Sequence, residues 1–288
     1  MRQSTQDSPS GELHPRCLAT KTGDSPTRPY ERFSTTMIAS TKKITIVGAT
    51  GLIGRQLTPL LREAGHDVTE ASRASGTDLV TGEGLDVALT DADVVVDVIN
   101  SATPDDSAEK FFKQTSANLS AAAAQAGVGH YVVLSIVGVD AMAANAGYIR
   151  GKLAQESAAA KSGIPWTVVR ATQFHELAEP ITESLITGEQ VRAPKALIQT
   201  IDSKEVTAIL ARIATGSPFN AIHNLGGPQK MTFADMARAV LVHQSRELEV
   251  IDDPAATYQG LPVDNTTLVT DDEAELGTTR LSDWLALH

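Results

Sequence analysis

A single cysteine, Cys17, stands in the whole chain, so no disulfide can close within it and no cysteine-based redox or metal motif is available. Aromatic residues are scarce, at 4%. The core must therefore be built from small and branched aliphatics, as helix-covered parallel sheets tend to be. No apolar run approaches the roughly 20 residues that span a bilayer, and the first residues lack the roughly 7–15-residue apolar centre of a secretory signal. A cytoplasmic location without a membrane partner is the resulting expectation. Positive charge is short as well: 24 Lys and Arg against 35 Asp and Glu leave a net charge of −11. A duplex binder needs a basic face to displace counterions, so no nucleic-acid partner is expected. Histidines and carboxylates do not recur at metal-ligand spacing, and the adjacent His175 and Glu176 point apart on a helix, so no metal is expected.

What the chain does have is apolar material: 42% of its 288 residues, enough for one large or two intimately joined domains. Residues 1–41 stand apart, with Pro9, Pro15, Pro26 and Pro29 among many Ser, Thr and charged residues. Such a segment cannot offset the entropy of ordering and is expected to be disordered. A start at Met37 would make the preceding residues an artefact of start assignment. Acidic Asp7, Glu12, Asp24 and Glu31 count against an organellar targeting peptide.

From Lys42 the pattern becomes regular. Strands are predicted at 43–48, 66–72, 78–80, 93–99, 131–137 and 166–170, with helices at 52–64, 107–126 and 147–162. This alternation means right-handed crossovers and a doubly wound parallel α/β sheet. Pro59 should kink or shorten the first helix, because it removes a hydrogen bond. After residue 171 the rhythm loosens, with helices near 175–187, 203–215 and 232–245 and strands near 190–192, 221–225 and 248–251. Residues 42–170 read as the main domain and 171–288 as a small C-terminal substrate lobe, partly interleaved with the sheet.

Gly48-Ala-Thr-Gly51-Leu-Ile-Gly54 lies where the first strand turns into the first helix. Gly48 permits the tight turn, Gly51 a close backbone approach to a pyrophosphate, and Gly54 close packing of helix on sheet. Backbone groups from Thr50 through Leu52 and Ile53 then face the phosphates at the helix N-terminus. The spacing is G-x-x-G-x-x-G, and its strand–turn–helix context is what the motif requires. After the second strand an NAD site offers an acidic side chain; this chain offers Ser72 and Arg73, with Arg55 beside the last glycine. A guanidinium suits a 2′-phosphate, so NADP(H) is expected in preference to NAD(H). Glu70 lies too early, within the strand.

Ser135 falls near the end of the fifth predicted strand, Tyr148 follows thirteen residues later, and Lys152 four after that. Positions i and i+4 share a helix face. The phenol would pass a proton, and the Lys152 cation would lower its pKa towards neutrality and bond the nicotinamide ribose. Ser135 would hold the substrate oxygen. Asn100 and Ser101 end the fourth predicted strand and are expected to line the cofactor, with Ser101 reaching the substrate. Thr172, Gln173 and Phe174 follow the sixth, by position in the nicotinamide or substrate pocket. His66, His130 and His223 read as solvated or capping residues, and Asn118 as a structural bond to a neighbouring loop.

GATGLIGR, S-x-V-G-V-D from Ser135, Y-I-R-G-K-L-A-Q-E and S-G-I-P-W-T-V-V-R-A-T-Q-F resemble the NmrA-like group of atypical short-chain dehydrogenase/reductases. The similarity runs from about residue 42 to the closing W-L-A. It implies a Rossmann domain with a small substrate lobe, and Gly48, Gly51 and Gly54 as cofactor ligands. That group includes quinone and azo-dye reductases, isoflavone-type reductases and a redox-sensing regulator. One departure is I-N-S-A-T at 99–103 where ordinary short-chain dehydrogenases carry N-N-A-G. The expected function is an NADPH-dependent reductase of a small carbonyl, quinone or similar electrophile. A non-catalytic NADP(H) sensor and an epimerase or isomerase that retains its cofactor are the alternatives. The sequence carries no signal for an oligomeric state.

Overall fold

The computed structural model describes residues 41–101, 103, 105–142 and 146–288; apart from Thr41, the segment expected to be disordered lies outside them. The main sheet takes its strands from β1 (Lys43–Val47), β2 (Asp67–Ala71), β3 (Val94–Asp97), β4 (His130–Ile136), β5 (Trp166–Ala171), β9 (Ala221–Gly226) and β12 (Glu275–Leu276). Their spatial order is β12-β9-β5-β4-β3-β1-β2, and every pairing is parallel. The chain is thus a doubly wound, Rossmann-type α/β fold. After β2 it crosses back over β1 to lay down β3, so the switch point, where such sheets bind ligands, lies between the carboxyl ends of β1 and β3.

The strands are apolar on both faces because helices cover both. Ile44, Ile46, Val94, Val96 and Val132 pack under α1 (Leu52–Glu63) and α7 (Ser203–Thr215). Val95, Tyr131, Val133 and Val168 face α3 (Asp106–Ala126) and α5 (Gly147–Lys161). The short α2 (Leu85–Ala88) and α4 (Val139–Met142) lie in connections. A third core cluster gathers α6 (Ala178–Ser184) and α8 (Phe233–His243). It also takes residues from a small sheet of β6 (Ile186–Thr187), β7 (Gln190–Pro194) and β11 (Glu249–Asp253). The β8–β10 pair (Leu197–Ile198, Met231–Thr232) and α9 (Leu281–Leu285) complete the elements.

Three sequence expectations need correction. Residues 78–80 form no strand: Asp78 Oδ1 accepts hydrogen bonds from the Val80 (2.7 Å) and Thr81 (3.4 Å) amides and holds the segment in a turn. An aspartate that bonds the backbone two residues ahead favours a turn over a ladder, so β2 is the sheet's edge. Pro59 does not end the first helix, which continues through it to Glu63. The expected helix at 175–187 is a 3₁₀ turn (His175–Leu177) followed by α6.

Candidate active site

The first part of the site is made of backbone. Gly48 ends β1 at φ +87°, and a Cβ there would meet the Val98 and Ile99 backbone at 2.9 Å. A Cβ at Gly54 would press on the Gly48 carbonyl and sit 2.5 Å from Ala49 Cα. Those two glycines are required by the fold itself. Gly51 differs: its Cβ would approach only the Gly48 oxygen, at 3.4 Å, with open space beyond. Its amide donates to Gly48 O (3.0 Å) and fixes the turn. Gly51 is the N-cap of α1, yet no side chain caps that end and no acidic residue occupies its first turn. The free N–H groups and the dipole of a twelve-residue helix therefore face the crevice, an arrangement that suits a pyrophosphate. Thr50, Leu52 and Arg55 are exposed around it, while Ile53 is committed to the core and offers only its backbone.

Beyond β2, Ser72 is taken up locally: its amide donates to Ser75 Oγ (2.9 Å) and its hydroxyl accepts from the Ser75 amide (3.3 Å). Arg73 is exposed and lines a groove of about 690 Å³ together with Asn100 and Ser101. Glu70 is held by Arg62 at 2.9 Å. No carboxylate lines this groove, whereas an NAD site usually reads its ribose with one.

At the carboxyl ends of β3 and β4 stand the side chains expected to do chemistry. The Tyr148 hydroxyl donates to Asn100 Oδ1 at 2.8 Å, and its ring meets Phe112 edge-on at 5.6 Å. The same Asn100 oxygen accepts from the Ser101 amide at 2.9 Å. Ser135 is buried on β4 and its hydroxyl has no partner; Thr172 Oγ1 and Gln173 Oε1, just past β5, are also buried and unpartnered. Buried polar atoms without partners are rare and call for a ligand or water. Phe174, by contrast, packs half-buried against the α1–α7 cluster.

Lys152 does not pair with Tyr148. Its ammonium points into the sheet, donates to Leu134 O (2.7 Å) and Gln155 Oε1, and lies 5.1 Å over the Phe112 ring. Burial lowers it to about 8, against the pull of the Asp97 and Glu156 carboxylates. Asp97, wholly buried at the end of β3, accepts from the Ile99 amide (3.1 Å) and from Tyr131 OH (3.4 Å). Burial raises its pKa, with Gln155 and Lys152 opposing the shift. An uncompensated buried carboxylate is costly, and this one competes for the ammonium. Burial accordingly pushes the Tyr148 phenol up to about 12, reinforced by nearby Tyr258 and opposed by Asn100. The lowering expected from Lys152 is absent. Arg170 of β5 anchors the same helix through Glu156 at 2.7 Å.

Tyr258 was not foreseen. It is buried against Phe233, and its phenol is pushed up to about 12 by burial. It lies in an irregular stretch with no motif, and only the tertiary fold brings it beside Tyr148. The histidines are structural: His175 bonds Thr200 Oγ1 (2.9 Å) and Thr279 O (3.0 Å), and His130 bonds Thr167 Oγ1 (2.9 Å). Asn118 donates to Leu79 O and Val80 O, both at 2.9 Å, as the loop bond expected of it. Among the described residues no group of three or more His, Cys, Asp or Glu is placed to hold a metal ion, and no helix is long and apolar enough to cross a membrane.

A family profile described as NAD(P)H-binding matches residues 48–216. A (4-alkanoyl-5-oxo-2,5-dihydrofuran-3-yl)methyl phosphate reductase of Streptomyces griseus is 31% identical over 205 residues, 66% of this chain and 69% of that protein. Among solved structures, a Citrobacter triphenylmethane reductase complexed with NADP(H) superposes with a TM-score of 0.55 at 20% identity, covering 73% of this chain and 79% of that one. An NADPH-dependent quinone oxidoreductase of Escherichia coli gives 0.60 at 16% identity, covering 85% and 98%. The Bordetella bronchiseptica enzyme WbmH in complex with NAD+ gives 0.64 at 18% identity, covering 85% and 96%.

Proposed function

Because the chain belongs to the NAD(P)H-binding family of oxidoreductases of the short-chain dehydrogenase/reductase type, we propose that it is an NADPH-dependent reductase of small conjugated carbonyl compounds, quinones included. The observations that carry this reading are the Tyr148 phenol, which donates to Asn100 Oδ1 at 2.8 Å, and the buried, unpartnered hydroxyl of Ser135 on β4. Residues 171–288 supply the substrate lobe in this proposal, and the cytoplasm is its location.

The backbone at Gly51 and the α1 N-terminus would hold the pyrophosphate, in the turn that Gly48 and Gly54 shape, and Arg73 would hold the 2′-phosphate. Bound there, the cofactor supplies a hydride, that is, a proton with its electron pair. Tyr148 and Ser135 would hydrogen-bond the substrate oxygen that receives the displaced π electrons. Asn100 keeps the phenol aimed, and Tyr148 donates its proton to that oxygen or leaves the anion stabilised by hydrogen bonds. Lys152 acts from below by fixing α5 on β4.

The buried phenol supports this choice of substrate class. A tyrosine pushed up to about 12 remains a donor and is a poor partner for full proton exchange at neutral pH. That suits an acceptor whose reduced form is a delocalised enolate or quinol anion, and suits a simple ketone less, since its localised alkoxide demands a proton at once. The Streptomyces relative is named for a conjugated substrate, with two carbonyl groups on one carbon of a ring double bond.

The test is NADPH consumption by the purified protein with 1,4-benzoquinone, 2-cyclohexenone and cyclohexanone. Turnover of the conjugated compounds that exceeds that of cyclohexanone, and that falls in Tyr148→Phe, supports the reading. Cyclohexanone reduced as fast as the others would contradict the assigned class.

A further inference from the structure

The groove beside β2 has two cationic contributors, of which the sequence singled out one. Arg73 reaches it from the turn after β2, and Lys110 from the second turn of α3. Val80 and Phe111 give it apolar walls suited to an adenine ring. Its outer wall is held in place: Asn118 of α3 grips the carbonyls of Leu79 and Val80, and Asp78 accepts from the Val80 amide at 2.7 Å.

The charge arrangement distinguishes these two cations from their neighbours. Arg62 is held by Glu70 (2.9 Å), Lys113 by Glu109 (2.6 Å), and Arg150 by Glu109 (2.6 Å) and Asp106 (2.9 Å). The acids that share α3 with Lys110 are therefore already neutralised. Arg73 and Lys110 are both exposed, and neither forms an ion pair among the described residues. In a chain with a net charge of −11, two unpaired cations on one groove point to an anion that is brought in from outside.

We infer that Lys110 is a second ligand for the 2′-phosphate of NADP(H), closing on it from α3 while Arg73 takes it from the β2 side. This rests on the NADPH reading above and adds a residue to it. A phosphate monoester carries nearly two negative charges and three acceptor oxygens. A guanidinium takes two of those oxygens in its plane, and an ammonium serves the third as a point charge. Ser72 is spent on capping Ser75, which leaves the third position to Lys110.

The experiment measures binding of 2′,5′-ADP, 5′-AMP, NADPH and NADH by calorimetry and cofactor fluorescence. The proteins are wild type, Arg73→Ala, Lys110→Gln and Lys110→Arg, with thermal melts as the fold control. Lys110→Gln should weaken 2′,5′-ADP and NADPH about tenfold and leave 5′-AMP and NADH within about twofold; Lys110→Arg should retain most of the affinity. Equal weakening of NADPH and NADH would assign Lys110 to the shared adenosine or pyrophosphate and overturn the inference. A wild-type preference for 2′,5′-ADP that Arg73→Ala abolishes and Lys110→Gln leaves intact would overturn it while sparing the NADPH reading. No wild-type preference for 2′,5′-ADP over 5′-AMP would remove both.

Discussion

The two ends of the nucleotide crevice are built on different principles. The phosphate turn is backbone: its geometry comes from three glycines within seven residues. The chemical end is side chain: Tyr148, Asn100, Ser135, Lys152 and Asp97 arrive from three strands and helices and must divide a few buried partners among them. In the turn, conformation decides what each residue does. At the chemical end competition decides, and Leu134 O and Gln155 Oε1 take the Lys152 ammonium that its spacing assigns to the phenol.

The sharpest break in this comparison is expected within the turn itself. Gly54→Ala forces a Cβ onto backbone atoms that cannot yield and should destabilise the fold by about 3 kcal/mol or more in denaturant melts. Gly51→Ala, three residues away, should change stability by less than about 1 kcal/mol and still weaken NADPH at least about tenfold. Equal stability losses in the two variants would mean that the turn does not separate structural from ligand-facing glycines.

At the chemical end, Asp97→Asn and Lys152→Met should each cost about 3 kcal/mol, because each leaves a buried charge without its counterpart. The double variant should recover much of that loss, and strict additivity would show that the two groups are not coupled. Tyr148→Phe removes a donor and no buried charge. It should lower turnover about a hundredfold or more, with NADPH affinity and melting temperature close to wild type.

The smallest effect concerns pH. Lys152 is lowered from 10.5 to about 8 by burial, so between those values the unfolded chain binds more protons at this site than the folded one. Its contribution therefore makes stability rise with pH from about 8 to 10.5. The wild-type stability curve should show that increment relative to Lys152→Met, and parallel curves would argue that the ammonium is not held in the core.

What was legible follows the same division. Strand and helix order from Lys43 to Ala171 could be read because each element carries its own period and its own stop, and the glycine turn because its requirement is local. Residues 78–80 were misread: Leu79 and Val80 look like strand residues, but the Asp78 side chain bonds the backbone ahead of it. Spacing singles out Ser135, Tyr148 and Lys152 and says nothing of what each side chain bonds. The Lys152 ammonium is taken by Leu134 O of β4 and by Gln155 Oε1, and no helical spacing records that. Tyr258 and Lys110 carry no motif; each acquires a place only when β5, α3 and the C-terminal segment are assembled.

The most direct test of the central claim is single-turnover oxidation of bound NADPH by 2-cyclohexenone, followed by cofactor absorbance in wild type, Tyr148→Phe and Lys152→Arg. The account predicts rapid oxidation in wild type and a loss of about a hundredfold in Tyr148→Phe. In Lys152→Arg the rate should fall only as far as the protein is destabilised, and its pH dependence should be unchanged. Undiminished oxidation in Tyr148→Phe, or a new pH dependence in Lys152→Arg, would contradict the account.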